Sequence, residues 1–351
     1  QYNIFGYTWD STKYVEQIID NRAEPSISAA YANQLPYPNI AIAYGGGSGL
    51  YYTLYDTSYD KWTIKIIEVG PGVGKDISLQ IDINGNPHIS YTDSYKQCLK
   101  YCYYYDSTWY IQTIDNGPEV GRFSNLQLDQ NQYPHIAYYD AKNGALKYIY
   151  FNGNKWNKEV IDIEDKKMLG LYISFKMDKI GNRHISYYNA TDHYLKYAYS
   201  SGLNWQIEVV DTTGITGLYT SLSFDNKNNP NIIYNSNGML KYTYKDISGD
   251  WIYEVIDNTF GSGASRSKLI LDEENNKKHV FYFVNKYSSI ILKYACYING
   301  KWEIKLVKNY GGLYYYYFSD FDVTSDINNE LWLFSYYYGV RSLGPDISSI
   351  K

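Results

Sequence analysis

The chain has 351 residues, 20% of them charged and 44% hydrophobic, with a net charge of −5. That balance excludes a disordered polymer. It also argues against nucleic-acid binding, because the arginines (Arg22, Arg122, Arg183, Arg266 and Arg341) are few and form no basic cluster. No run of about 18 apolar residues is present to span a membrane as a helix.

In chain order, one short phrase keeps returning: an aromatic residue, mixed residues, two apolar residues, then usually an acid. It occupies Tyr14–Asp20, Trp62–Glu68, Trp109–Asp115, Trp156–Asp162, Trp205–Asp211, Trp251–Asp257 and Trp302–Lys308, at intervals of 46 to 51 residues. A period of that length means a repeat architecture with a shared core. Residues 75–115 show the unit best. Strands are expected at 76–82, 88–93, 99–105 and 109–115, with the Asn/Gly/Pro turn Ile83–Pro87 between the first two. The order recurs in 122–162, 171–211, 219–257 and 265–308, and in degraded form in 26–68.

Six complete units thus run from about residue 22 to 307. Residues 1–20 hold only the last two strands of a unit, and 317–338 only the first two. Together they make a seventh. A ring needs such closure, whereas an open solenoid needs polar caps. The expected fold is an all-β, seven-bladed β-propeller of four-stranded blades. Residues 1–338 form one domain, its closing blade built from 1–21 plus 308–338, and 339–351 are a C-terminal tail.

At this point a family likeness enters. His135-Ile-Ala-Tyr-Tyr-Asp140 with Leu146-Lys-Tyr148, and His184-Ile-Ser-Tyr-Tyr188 with Leu195-Lys-Tyr-Ala198, resemble a repeat of secreted bacterial and archaeal propeller proteins. The resemblance spans nearly the whole chain. It implies a secreted or cell-surface protein and brings no shared catalytic motif. The chain lacks both the Gly-His…Trp-Asp pairing of the WD40 type and the Ser-x-Asp-x-Gly-x-Thr-Trp box of sialidases. Gln1 in place of Met is what signal-peptide removal leaves, and what a trimmed chain leaves too. Asn189-Ala-Thr191 is a glycosylation sequon.

Most of the recurring polar residues read as structural. His88, His135, His184 and His279 share one repeat position that Asn39 and Asn231 fill elsewhere, so hydrogen bonding is expected there. Lys100, Lys147, Lys196, Lys241 and Lys293 sit in the third strand, with Asp93 and Asp140 as partners across the hairpin. Asp82, Asp129, Asp178, Asp225, Asp272 and Asp326 precede turns that they can cap. Cys98, Cys102 and Cys296 have no disulfide, zinc or haem spacing and read as buried free thiols. No metal or cofactor is implied. The 45 tyrosines read mostly as sheet packing, with an aromatic binding surface as the alternative.

Function is then sought where the repeat breaks its symmetry. The first strand of each unit should line the central channel. Its entry positions carry Lys75, Asp76, Arg122, Tyr172, Tyr219, Arg266 and Asp320, and two residues further along, where Ser78, Asn125, Ser174 and Ser221 are small and polar, stand Lys268 and Asp322. These are the candidate ligand site at the channel mouth, unless they are ion pairs that plug it. Tyr314, Tyr315, Tyr316, Tyr317 and Arg341 are a candidate interaction surface beside the tail. The sequence reads as a non-enzymatic recognition or scaffold protein, binding a glycan, a protein partner or copies of itself as a filament. The alternative is a polysaccharide lyase or glycoside hydrolase whose acid and base lie at the channel mouth, with Asp320, Asp322, Arg266 and Tyr219 nominated.

Overall fold

The computed structural model describes residues 2–10, 13–20, 23–32, 39–46, 49–56, 61–202, 204–259, 266–272, 277–286, 289–309, 320–325 and 331–338. All regular structure among them is β. In chain order the strands are β1 (Tyr2–Asp10) and β2 (Lys13–Asp20); β3 (Ala23–Ala32), β4 (Asn39–Gly46), β5 (Gly49–Asp56) and β6 (Lys61–Val69); β7 (Lys75–Ile81), β8 (Pro87–Asp93), β9 (Cys98–Tyr105) and β10 (Thr108–Asp115). Next come β11 (Val120–Leu128), β12 (Pro134–Asp140), β13 (Ala145–Phe151) and β14 (Trp156–Asp162); β15 (Leu169–Met177), β16 (Arg183–Asn189), β17 (Tyr194–Ser200) and β18 (Gln206–Asp211). The last are β19 (Thr216–Phe224), β20 (Pro230–Ser236), β21 (Met239–Lys245) and β22 (Trp251–Asp257); β23 (Ser267–Asp272), β24 (Lys277–Lys286), β25 (Ser289–Ile298) and β26 (Lys301–Asn309); β27 (Phe321–Ser325) and β28 (Leu331–Tyr338).

The strands pair into seven four-stranded antiparallel sheets. Six are consecutive meanders. The other has the order β2-β1-β28-β27, so strands from the two ends of the chain complete one sheet. Its register runs from Tyr2 opposite Tyr338 to Thr8 opposite Trp332. The first strands of successive sheets neighbour one another, and β27 neighbours both β23 and β3. This is an all-β propeller of four-stranded blades, with those first strands innermost.

Adjacent blades bury one another's faces, which is where the tyrosines go. Tyr91, Tyr138, Tyr148, Tyr187, Tyr197, Tyr234, Tyr242 and Tyr282 are almost wholly buried. One core cluster combines Ala137, Tyr139, Leu146 and Tyr148 of one blade with Ile173, Phe175, Ile185 and Tyr187 of the next. A glycine makes that approach possible. Gly170 and Gly217 have φ of 103° and 102°, and a Cβ there would lie 2.9 and 2.8 Å from the Cα of Leu146 and Leu195 in the preceding blade.

The acid that ends the fourth strand is a latch to the next blade. Asp162 Oδ2 accepts the Tyr187 hydroxyl and the Lys196 ammonium, both at 2.5 Å. Asp211 takes Tyr234 and Lys241 at 2.7 and 3.1 Å, and Asp257 takes Tyr282 and Lys293, both at 2.7 Å. Glu68 takes Tyr91 and Lys100 in the same way. The hairpin pairing expected for the repeated lysine therefore holds only for Lys147, which meets Asp140 at 2.5 Å. In the other blades the lysine reaches back across the seam; of their second strands β8, β16, β20 and β24 only β8 ends in an acid, Asp93.

The phrase's tryptophan fastens the outer rim. Trp156, Trp205 and Trp251 stand edge-on to Tyr101, Tyr148 and Tyr197 of the preceding blade at 5.3 Å, and Trp302 to Tyr242 at 5.5 Å. Their indole N–H groups donate to Gln112, Glu159, Glu208 and Glu254. Trp109 is the exception: the matching place in the blade before it holds Lys65, itself a donor, and the Trp109 N–H has no partner among the described residues.

The histidines and turn acids are structural as expected. His88, His184 and His279 Nδ1 meet the hydroxyls of Tyr101, Tyr197 and Tyr294 at 2.5, 2.5 and 2.6 Å, and His135 meets Tyr148. Asn231 Oδ1 accepts the hydroxyl of Tyr242, the same bond made by an amide. Asp82 Oδ1 accepts the N–H groups of Asn84 and Asn86 at 2.9 and 2.7 Å. Cys98, Cys102 and Cys296 are free and buried, and burial pushes the Cys102 thiol well above its ordinary range.

Candidate functional site

A cavity of about 520 Å³ runs along the inner strands. Asp76, Tyr172, Tyr219, Arg266, Lys268, Asp320 and Asp322 all line it, so the structure gathers seven of the nine nominated residues. Lys75 and Arg122 are outside the lining. Each stands one residue before a break in strand register, opposite Thr92 and Tyr139 of its own blade.

That break is the local device that builds the mouth. Register shifts fall between Lys75 and Ser78, Arg122 and Asn125, Leu171 and Ser174, and Leu218 and Ser221. A bulge re-aims the extra side chain. The residue inside each bulge is left-handed: Asp76 (φ 47°), Phe123 (φ 55°), Tyr172 (φ 52°) and Tyr219 (φ 53°). Each costs on the order of 1 kcal/mol or more for a residue with a Cβ. The carbonyls they turn inward are used. Ser124, Thr220 and Ser267 of the following blades donate their hydroxyls to the carbonyls of Asp76, Tyr172 and Tyr219 at 2.7, 3.0 and 3.0 Å.

The mouth has two unlike halves. One is an aromatic arc on three successive blades. Phe123 and Tyr172 have ring centroids 5.1 Å apart, and Tyr172 and Tyr219 4.2 Å apart. Behind it Tyr188 lies 6.1 Å from Tyr172 and shares a 2.6 Å hydrogen bond with His193 Nδ1. The other half is charged. Arg266 Nη1 pairs with Asp320 Oδ1 at 2.8 Å. Asp320 Oδ2 also accepts the Ile27 N–H at 3.2 Å. Burial pushes Asp320 up to about 6, against the pull of Arg266 and the two backbone N–H groups. Burial likewise raises Asp76, although Arg266, Arg122 and Lys75 oppose it.

One step deeper, side chains of one blade bond the backbone of the next. Ser78, Ser174 and Ser221 accept the N–H of Leu126, Leu222 and Leu269, and Asn125 that of Phe175. Lys268 breaks this ring, since an ammonium accepts nothing. It pairs with Asp322 Oδ1 at 2.6 Å, and Asp322 closes the ring by accepting the Ala29 N–H at 2.9 Å. The ion pairs line the channel without filling it.

Sequence reasoning missed two features here. Lys176 lines the cavity two residues beyond Ser174. Its signal was a lysine where β7 and β11 carry Gln80 and Gln127. The aromatic arc was visible only as isolated residues, because the left-handed bulge that aligns Phe123 with Tyr172 leaves no mark in the periodicity. Asn189 is buried; its amide donates to Asp192 Oδ2 at 2.9 Å and its Oδ1 accepts two backbone N–H groups, which speaks against its use as a glycan acceptor. Tyr314, Tyr315, Tyr316, Tyr317, Arg341 and the tail 339–351 lie outside the described residues. Among the described residues no cluster of three or more His, Cys, Asp or Glu could hold a metal, and no helix is long and apolar enough to cross a membrane.

No family model and no curated protein matches the chain. Solved structures do. An ulvan lyase, described as a new polysaccharide lyase family, aligns at a TM-score of 0.60 and 12% identity over 90% of this chain and 93% of its own. The fungal lectin of Aleuria aurantia aligns at 0.54 and 13%, over 80% of this chain and 95% of its own. A protein of unknown function from Dyadobacter fermentans aligns at 0.52 and 10%, over 90% and 94%. At these identities the likeness is one of fold. The lectin is described as six-bladed.

Proposed function

We propose that this protein is a glycan-binding β-propeller that seats a saccharide at the mouth of its channel. The ring is read as seven-bladed, supported by the seven sheets and by the closing sheet made from both ends of the chain. The observation that carries the functional reading is the asymmetric mouth. Three aromatic rings on successive blades are held in strained backbone, facing a pair made by the exposed Arg266 guanidinium and the buried Asp320 carboxylate. Sugar rings present apolar C–H faces that stack on such aromatics, and hydroxyls that bond charged groups. Lectin and lyase neighbours share the fold and support a glycan as the ligand class. The resemblance to secreted propeller repeats supports an extracellular or surface location.

Glycan-array binding of the full chain tests this. Tyr172→Ala and Tyr219→Ala should each weaken the best-bound glycan by about three- to tenfold, the size of one aromatic contact. Equal binding by the variants would overturn the reading.

A lyase or hydrolase is the second reading, favoured by the acidity of Asp320, which lies near that of a general acid at neutral pH. Against it, both Asp320 oxygens are engaged by Arg266, Ile27 and Phe321. Turnover of a uronic-acid polymer that is lost in Asp320→Asn would establish it. A protein-binding or self-assembling role rests on residues 314–317 and 339–351. Light scattering of the full chain against one ending at residue 338 is its test.

A further inference from the structure

The hydrogen bonds that tie blade to blade around the channel consume acceptors and leave donors over. Ser78, Ser174 and Ser221 each accept a backbone N–H at 3.0 Å. A hydroxyl that accepts still has one hydrogen to give. Among the described residues these three hydrogens have no protein acceptor. Asn125 adds to them: its Oδ1 accepts the Phe175 N–H at 3.2 Å, which fixes the amide and leaves its NH2 to the channel. These four residues occupy equivalent places on β7, β11, β15 and β19, successive inner strands of one side of the ring.

Lys176 sits just beneath them on β15, on the same strand face as Ser174, and lines the same cavity. Its ammonium has no hydrogen bond or ion pair among the described residues. The charged groups facing it are Lys268 and Asp322. Asp322 cannot serve as its counter-ion. That carboxylate already holds Lys268 at 2.6 Å, the Ala29 and Val323 N–H groups at 2.9 Å and the Ser28 hydroxyl at 3.3 Å. A lysine desolvated beside a second lysine is disfavoured as a cation, and burial first, Lys268 second, pull its pKa down to about 8. Water can satisfy a hydroxyl, but it brings no charge to a partly buried ammonium.

We propose that this wall binds a small oxyanion, with Lys176 as the charge partner and Ser174, Ser221 and the Asn125 amide as neutral donors. The ligand class is a tetrahedral or planar oxyanion. It is either free sulfate or phosphate, or the carboxylate or sulfate carried by an acidic sugar whose ring lies at the mouth. The site is independent of the aromatic arc, so either assignment can stand without the other.

Calorimetric titration of the full chain with sodium sulfate at low ionic strength and pH 7 tests it. Saturable binding is expected, weakened at least tenfold in Lys176→Gln and unchanged in Lys142→Gln, an exposed lysine elsewhere. In the wild type the affinity should fall as pH rises from 7 to 9.5, because the ammonium is lost through about pH 8. Absent binding, equal binding by Lys176→Gln, or no pH dependence would overturn the proposal. The pH arm needs no variant, so misfolding of Lys176→Gln leaves it decidable. Glucuronate that competes with sulfate, where glucose does not, would assign the anion to a sugar; sulfate binding untouched by glucuronate would assign it to a free ion. Tyr219→Ala should leave sulfate binding unchanged, which separates this site from the glycan reading.

Discussion

The seams between blades and the wall of the channel are built from the same bonds and behave as opposites. At the seams one arrangement is repeated almost without change: an acid, a tyrosine hydroxyl, a lysine and an edge-on tryptophan. Along the channel the backbone ring repeats, but the side chains pointing past it do not. Repetition marks positions that packing dictates, and departure from it marks positions that packing leaves free. The left-handed residues sharpen the contrast. Strain is absent from the latch residues and is found at equivalent positions of four blades around the mouth.

The largest effect should come from breaking a latch. Asp162→Ala strands the buried Tyr187 hydroxyl without its acceptor and leaves the buried Lys196 only Glu164, at 3.7 Å. Loss of one partner of a buried pair costs about 3–5 kcal/mol. Denaturant unfolding would read it, and a change under about 1 kcal/mol would mean that the seam is held by packing alone.

Matched truncations of two tyrosines come next. Tyr187→Gly in the seam should cost about 3 kcal/mol or more, as deletion of a buried aromatic does. Tyr219→Gly should leave stability within about 1 kcal/mol of wild type, because glycine relieves the left-handed backbone while the lost ring was only partly buried. Equal costs would erase the distinction between the two regions.

Acid should then separate them by sign. Burial would raise the Asp257 carboxyl, but Lys293, Thr259 and Tyr282 outweigh it and hold it at about 2. Its folded pKa is depressed, so its contribution is present above about pH 4 and lost as pH falls through 2, up to roughly 2 kcal/mol. Asp320 is raised to about 6. Its contribution is complete below about pH 4 and declines as pH rises to 6. Asp320→Asn should flatten the stability profile between pH 4 and 6, and Asp257→Asn below pH 4. A profile unchanged in both would contradict the two environments.

The smallest effect should be a gain. Lys65→Gln offers the Trp109 N–H the acceptor that its counterparts have, worth about 0.5–1 kcal/mol, less any loss of the Lys65 contact over Tyr104 at 4.8 Å. A melting temperature that falls would show that the cation–ring contact matters more.

The architecture was legible because every unit repeats the same strand pattern, and Tyr14 in the first copy marks the half-unit that β28 completes. The mouth was legible in part. Inner-strand position nominated Tyr172, Tyr219, Arg266 and Asp320, which line the cavity, while Lys75 and Arg122 stand outside the lining, one residue before the register break, and reach it through their charge on Asp76. The lysine latches were misjudged for a related reason. The sequence displays neighbours within a hairpin, but Lys196 finds Asp162 only after two sheets have stacked. Lys176 escaped notice because its one signal, a lysine where β7 and β11 carry Gln80 and Gln127, acquires meaning only once the cavity it lines is known.

The sheet shared by both ends has a bearing on biosynthesis. Of the strands described here, β1 and β2 are synthesised before all the others, yet their sheet partners β27 and β28 come after all the others. Six blades can stack as they appear, while the first hairpin waits with one edge unpaired. The final step of assembly is then a single docking event of very long sequence separation, which is slow by loop-closure entropy. During that interval the exposed edge is open to pairing with another nascent chain. A circular permutant that starts at β3 and joins the present ends would make every blade local in sequence. It should reach the native ring faster and aggregate less during synthesis.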